Sequence, residues 1–174
     1  MLIALHDLFR CMSYPAEERK NAEILSADAI KSYLPAEFSG EIIVKEITKS
    51  TNIDAACITE DAPHGTTVIA DAQTAGRGRL GKSFFAPRGG ISMSVILKLG
   101  LVFSDAVLVT TAASVSVCKA IEAVSNVRPK IKWVNDILLD GKKICGICIG
   151  GFCYFLYENI SRKISRKQGF NRIC

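Results

Sequence analysis

The run Ile137-Leu138-Leu139, Asp140-Gly141, Lys142 to Ile149 constrains this chain more than any other stretch. Asp-Gly between two apolar runs supplies two residues that tolerate positive φ, which a two-residue β-hairpin turn requires. The preceding Lys130-Ile131-Lys132-Trp133-Val134 alternates as a strand does. Antiparallel pairing is therefore built into the C-terminal half, and an all-parallel doubly wound sheet is disfavoured.

The rest of the chain supplies further strands and the helices beside them. Ser26 is placed to cap a helix over residues 27–34, which Pro35 stops. Strands are expected over 41–47, 66–70 and 91–99, where Ile, Val and Thr concentrate. A short helix fits 52–61, ended by Pro63 and Gly65. Ser104 looks like an N-cap with Asp105 on the helix dipole, leading a helix to about residue 125 that is mostly Ala, Val and Leu. The expected fold class is α+β, a central mixed β-sheet flanked by helices.

Length and composition narrow the class. At 174 residues, one domain with a single core is expected. Hydrophobic residues make up 49%, charged residues 22%, and mean hydropathy is +0.24, a globular profile on the apolar side. The N-terminus lacks a basic region before its apolar stretch. The most membrane-like segment, 101–118, carries Asp105 and many Ser and Thr, so a buried helix is expected there and the location is expected to be cytoplasmic, with no membrane partner. Seven cysteines without regular spacing argue against a disulfide framework. Cys145, Cys148 and Cys153 form the tightest group. They sit in an apolar, strand-like run, which favours small buried hydrophobes over a zinc site. The net charge is +5, but Arg162, Lys163, Arg166, Lys167 and Arg172 against Glu158 put +4 of it after residue 150. The body is close to neutral, which does not support a broad nucleic-acid footprint.

Three segments can carry chemistry. Gly76-Arg77-Gly78-Arg79-Leu80-Gly81-Lys82 combines backbone freedom with fixed positive charge, and guanidinium forks match carboxylate and phosphate oxygens. The plain alternative is a flexible basic loop or an RNA contact. Lys132-Trp133-Val134-Asn135-Asp136 places a lysine beside a tryptophan of the buried type, turning the lysine inward or toward a cleft. Asn135 and Asp136 at the strand end suit a nucleotide or a metal, or only an Asx turn. Ser50-Thr51-Asn52 clusters neutral donors and acceptors, and reads first as a helix N-cap, which does not exclude a ligand role.

Taken together, these segments resemble the biotin–protein ligase family, from about residue 25 to 147. The resemblance lies in Ser50-Thr51-Asn52, Gln73-Thr74-Ala75-Gly76-Arg77-Gly78-Arg79-Leu80-Gly81-Lys82, Gly89-Gly90-Ile91-Ser92-Met93-Ser94, Lys132-Trp133-Val134-Asn135-Asp136 and Lys143-Ile144-Cys145-Gly146-Ile147. It implies the biotin/lipoate ligase catalytic fold and a two-step reaction as a biotin–[acetyl-CoA-carboxylase] ligase. Biotin is activated by ATP, with Mg²⁺, as biotinyl-5′-adenylate. It then passes to a lysine of a biotin carboxyl carrier protein domain. The first step joins two anions, so positive charge must be aimed at both.

By position, the resemblance implies that Ser50, Thr51, Asn52 and Gln73 bind biotin. It gives Gly76, Arg77, Gly78, Arg79, Gly81 and Lys82 to the loop over the ligand, with Arg77 and Arg79 facing carboxylate and phosphate. Lys132 neutralises charge at the reacting centre, so Lys132 and Arg79 are the expected catalytic residues. Phe84 stands where the family often has a tryptophan beside adenine, and Asn135 and Asp136 serve the nucleotide or a metal. Lys82 replaces an arginine, Val134 a proline, and Gly150 a polar or acidic residue. A homodimer is compatible with the resemblance.

The expected organisation is an N-terminal extension at 1–24, possibly the remnant of a DNA-binding region, a partial catalytic domain at 25–150, and an atypical basic and aromatic tail at 151–174. The resemblance stops near residue 150. The family strand pair that follows and the small C-terminal β-domain are missing, so the fold is expected to be incomplete at the C-terminus. Residues 142–149 should then have an open side, the tail no single packed position, and the chain little ligase activity. DNA binding is not expected. The competing readings are a lipoate–protein ligase, against which the Gly-Arg-Gly-Arg loop speaks, a non-catalytic remnant, and an RNA-binding peptide fused to a domain.

Overall fold

The computed structural model describes residues 25–78, 83–88, 90–99, 106–150 and 153–158. Its elements are α1 (Ala27–Lys31), β1 (Ile42–Thr48), α2 (Thr51–Ile58), β2 (Thr67–Gln73), β3 (Ile91–Ile96), α3 (Ala106–Val124), β4 (Lys130–Lys132), β5 (Asp136–Leu139), β6 (Lys142–Gly150) and β7 (Cys153–Glu158). The strands form one sheet in the order β1-β2-β3-β7-β6-β5-β4. Only β1 and β2 run parallel, joined through α2, and every other neighbouring pair is antiparallel. The expected mixed sheet with flanking helices is what forms.

The hairpin folds as its sequence dictates. Asp140 and Gly141 have φ of 51° and 73°. Two consecutive positive φ values give the turn whose twist matches the strands it joins. Register then shifts once, between Ile137 and Leu138. Ile144 and Cys145 both reach the core as a result, while Asp136 opposes Gly146 and Leu138 opposes Lys143 on the other face.

The helices cover opposite faces of the sheet. Val109, Ala113, Val117, Ala120 and Ile121 of α3 pack with Ile69, Met93, Ile137, Leu139, Ile144 and Ile147. Ala55 of α2 packs with Val68 and Ile96. Val68 and Ile69 thus point to different helices, as alternation along β2 requires. Hydroxyls along α3 and just past its end bond back one turn, Ser116 to Ala112 O and Ser125 to Ile121 O, while Ser114 lies 3.0 Å from both Thr110 O and Val134 O outside the helix. By length and composition Val107–Val124 could cross a membrane, yet half of that window is buried inside the fold.

Several expectations need correction. The tail is expected to have no packed position, but its residues 153–158 form β7, which pairs along its whole length with both β3 and β6. Each of those strands offers an unpaired edge to it, and Tyr154, Phe155 and Tyr157 are strong strand formers. The open side expected for β6 is therefore filled. Helix α1 ends at Lys31 rather than 34; Ser26 does cap it, accepting from Ala29 N at 3.1 Å. Strand β4 stops at Lys132, so Trp133 falls in the following turn, where it is 73% exposed rather than buried. The Trp133–Val134 peptide is cis. The expected N-cap at Ser104 and Asp105, the extension at 1–24 and residues 159–174 lie outside the described residues.

Candidate functional site

The site begins where β1 enters α2. Ser50 occupies the N-cap position and is buried, but its side chain makes no capping bond. The Thr51 amide instead donates to Gln73 Oε1 at 2.8 Å, and the Thr51 hydroxyl donates to the same oxygen at 3.2 Å. Ser94 Oγ in turn donates to Thr51 Oγ1 at 2.9 Å. A backbone N–H can only donate, so this network fixes which end of the Gln73 amide faces Thr51. Gln73 Nε2 therefore faces away. It is buried and has no partner among the described residues, and neither does the buried Asn52 Oδ1.

Gly76 explains the room beside Gln73. A Cβ there would lie 2.7 Å from Phe84 O and 3.1 Å from Gln73 Nε2. The loop is stitched at its base by Phe84 N donating to Gly76 O at 2.7 Å and by bridges Gln73–Ala86 and Arg77–Ser83. Arg77 is exposed and Gly78 partly buried, while Arg79, Gly81 and Lys82 lie outside the described residues. Phe84 is partly buried, packed with Cys148 against Ala86. The loop thus reaches from β2 to β6, three strand spacings or about 14 Å across the sheet.

The charged end of the site lies farther along the same face as Cys148. Two-residue alternation puts Gly146 on that face, and cross-strand register adds Asp136, Lys132 and Lys143. Lys143 Nζ sits 2.7 Å from Asp136 Oδ1, and Asn135 Nδ2 donates to the same oxygen at 3.0 Å. Asn135 is buried, and Lys132 is exposed on its edge strand rather than turned inward. Ser50, Thr51, Asn52, Gln73 and Gly76 therefore form one cluster and Lys132, Asn135 and Asp136 a second, with the Phe84 loop between them. In the sequence Ser94 and Lys143 are only parts of a motif; the structure shows both bonded directly to candidate site residues. Their signal was a serine alternating with apolar residues along a strand, and a lysine in cross-strand reach of an aspartate.

The geometry can be set beside known proteins. Residues 44–151 match the model of the biotin/lipoate A/B protein ligase family. The bifunctional ligase/repressor BirA of Bacillus spizizenii is 40% identical over 126 residues, covering 71% of this chain and 39% of that protein. The biotin–[acetyl-CoA-carboxylase] ligase of Paracoccus denitrificans is 31% identical over 104 residues, covering 59% of this chain and 43% of its own length. Among solved structures, biotin protein ligase from Aquifex aeolicus in complex with biotin and ATP superposes with a TM-score of 0.58 at 26% identity, covering 72% of this chain and 54% of that one. The chain thus spans about two-fifths of the length of these curated relatives. By its matched residues and its sheet, the chain belongs to the biotin/lipoate A/B protein ligase family.

Proposed function

We propose that this chain carries the acid-binding and adenylate-forming site of a biotin–protein ligase. The observation that carries the reading is the buried, unpartnered pair at its neutral end: a donor, Gln73 Nε2, and an acceptor, Asn52 Oδ1. A buried polar group without a partner costs about 1–3 kcal/mol. A cyclic urea offers a carbonyl to the donor and N–H groups to the acceptor. Biotin has that ring, and lipoate does not. The relatives named as biotin ligases support the same substrate.

The chemistry then runs toward the charged end. A carboxylate oxygen of biotin bonds to the α-phosphorus of ATP, and the bond to the pyrophosphate oxygen breaks. Arg77, Arg79 and Lys132 supply charge for the two anions that meet. In the second step a carrier lysine amine attacks the acyl carbon, AMP leaves, and the amine loses a proton. The carrier is a biotin carboxyl carrier protein domain, and the setting is the cytoplasm. Mg²⁺ belongs here to the ATP phosphates. Among the described residues no three metal-ligating side chains converge, and Asp136 already serves Lys143 and Asn135, so these residues do not fit a resident ion.

The low activity expected from an open edge at β6 no longer follows once β7 fills that edge, so the test is ATP–pyrophosphate exchange by the purified chain. Exchange should require biotin and stay at background with lipoate. Biotin with ATP, near 100 times its dissociation constant, should also stabilise the fold by about 2.7 kcal/mol in a thermal melt. Exchange with lipoate alone, or no response to either acid, removes the reading.

A further inference from the structure

We propose that Lys143 is a positioning residue: it holds the Asp136 carboxylate so that the Lys132 ammonium stays unpaired and open to an incoming anion. This rests on the site reading above. Lys132 and Asp136 are direct cross-strand partners. Side chains so placed start only about 5 Å apart, within easy reach of one another. Left to themselves they would pair, and a lysine tied to a carboxylate is a poor anion site. Yet Asp136 Oδ1 is held at 2.7 Å by Lys143 Nζ and at 3.0 Å by Asn135 Nδ2. Lys132 forms no ion pair among the described residues.

Gly146 makes that arrangement possible. It stands opposite Asp136, and a Cβ there would lie 2.9 Å from both Cε and Nζ of Lys143. The lysine stem lies across the bare glycine to reach its partner. The clash would fall on the end of a flexible side chain, and Gly146 is not among the positive-φ glycines. An alanine there is therefore tolerated by the backbone and displaces the ammonium. As a plain stabilising bridge the pair would do little, since Lys143 and Asp136 are 46% and 23% exposed. What it does decide is which of two lysines the carboxylate takes.

The experiment compares the chain with Lys143→Met, Lys143→Arg, Gly146→Ala, Lys132→Met and the Lys132→Met/Lys143→Met double variant. Inorganic tripolyphosphate binding is measured by calorimetry at low salt, alongside biotin-dependent pyrophosphate exchange. Lys143→Met and Gly146→Ala should each weaken binding by about fivefold, and Lys143→Arg should stay within about twofold of the parent. In the Lys132→Met background, Lys143→Met should add no further loss. A residue acting by its own charge or by general stability would instead lower binding equally with or without Lys132, and that result overturns the proposal. So does unchanged binding in Gly146→Ala, or a parent chain that does not bind tripolyphosphate. Coupled binding without any exchange would sink the ligase reading and leave this inference standing. Exchange without coupling would do the reverse.

Discussion

Thr51 sits at a helix start, where a cap and a ligand site would ask for the same chemistry, and its hydroxyl goes to Gln73 and Ser94 rather than to a cap. Ser, Thr and Asn are chosen at helix starts for their short polar side chains, and ligand sites choose them for the same reason. The sequence could name Ser50-Thr51-Asn52 but could not separate cap from site, because the deciding partners, Gln73 and Ser94, are 22 and 43 residues away. Thr51→Val keeps the shape and removes the hydroxyl between Ser94 and Gln73. It should destabilise the fold by about 1–3 kcal/mol and loosen the Gln73 amide, so that biotin affinity falls with it. Denaturant melts and calorimetry on the same sample would show both, and a biotin affinity unmoved by the change would detach Thr51 from the site. Cysteine is legible in another way. Burial, and then the charge of Glu122, push the Cys118 thiol up to about 11, whereas Cys57 is exposed. Thiolate is the reactive form. Iodoacetamide at pH 8 should therefore label Cys57 and spare Cys118, whose labelling should rise only as pH approaches its raised value; peptide mass spectrometry reads both.

At the level of elements, what could be read was what is encoded locally. The Asp140-Gly141 turn and the Val- and Ile-rich strands appear where residue chemistry puts them, and β1, β2, β3 and β6 match their expected runs to within a few residues. Strand β7 was missed for a physical reason. Alternation marks a strand with one face in water, but residues 152–157 are Phe-Cys-Tyr-Phe-Leu-Tyr, a continuous apolar run of the kind a central strand carries. The extent of β4 was misjudged because only three residues pair before the chain turns. Amides of residues 153–158 should exchange as slowly as those of β3 and β6, since β7 is hydrogen-bonded on both sides. Exchange there at the rate of a free peptide would remove β7 from the sheet. Leu156→Pro offers a second reading: it deletes a ladder donor in a central strand and should lower the melting temperature sharply.

For the molecule as a whole, the two faces of the sheet have divided their tasks. One is given to α3 and holds most of the core. The other carries α2, the loop from β2 and the polar line from Cys148 to Lys132. That division was legible in outline, because the apolar 106–124 segment had to be covered and the glycine–arginine loop had to reach a ligand. Which face received which was not, since it depends on the handedness of the β1–α2–β2 connection and on long-range pairing.

Helix α3 also has a consequence in time. It is about 28 Å long, near the thickness of a bilayer's hydrocarbon core. Of the strands it packs with, β4, β5 and β6 follow it in the chain, while β2 and β3 precede it. On the ribosome the helix therefore emerges with β2 and β3 already made but before the hairpin part of its cover exists, and that side is apolar and open to any lipid or chaperone nearby. Ribosome-bound chains in which a C-terminal linker carries residues 1–126 clear of the exit tunnel should be captured by liposomes or by trigger-type chaperones, and chains with residues 1–150 likewise clear of it should be released from them. Equal capture at both lengths would mean that the hairpin is not what shelters α3.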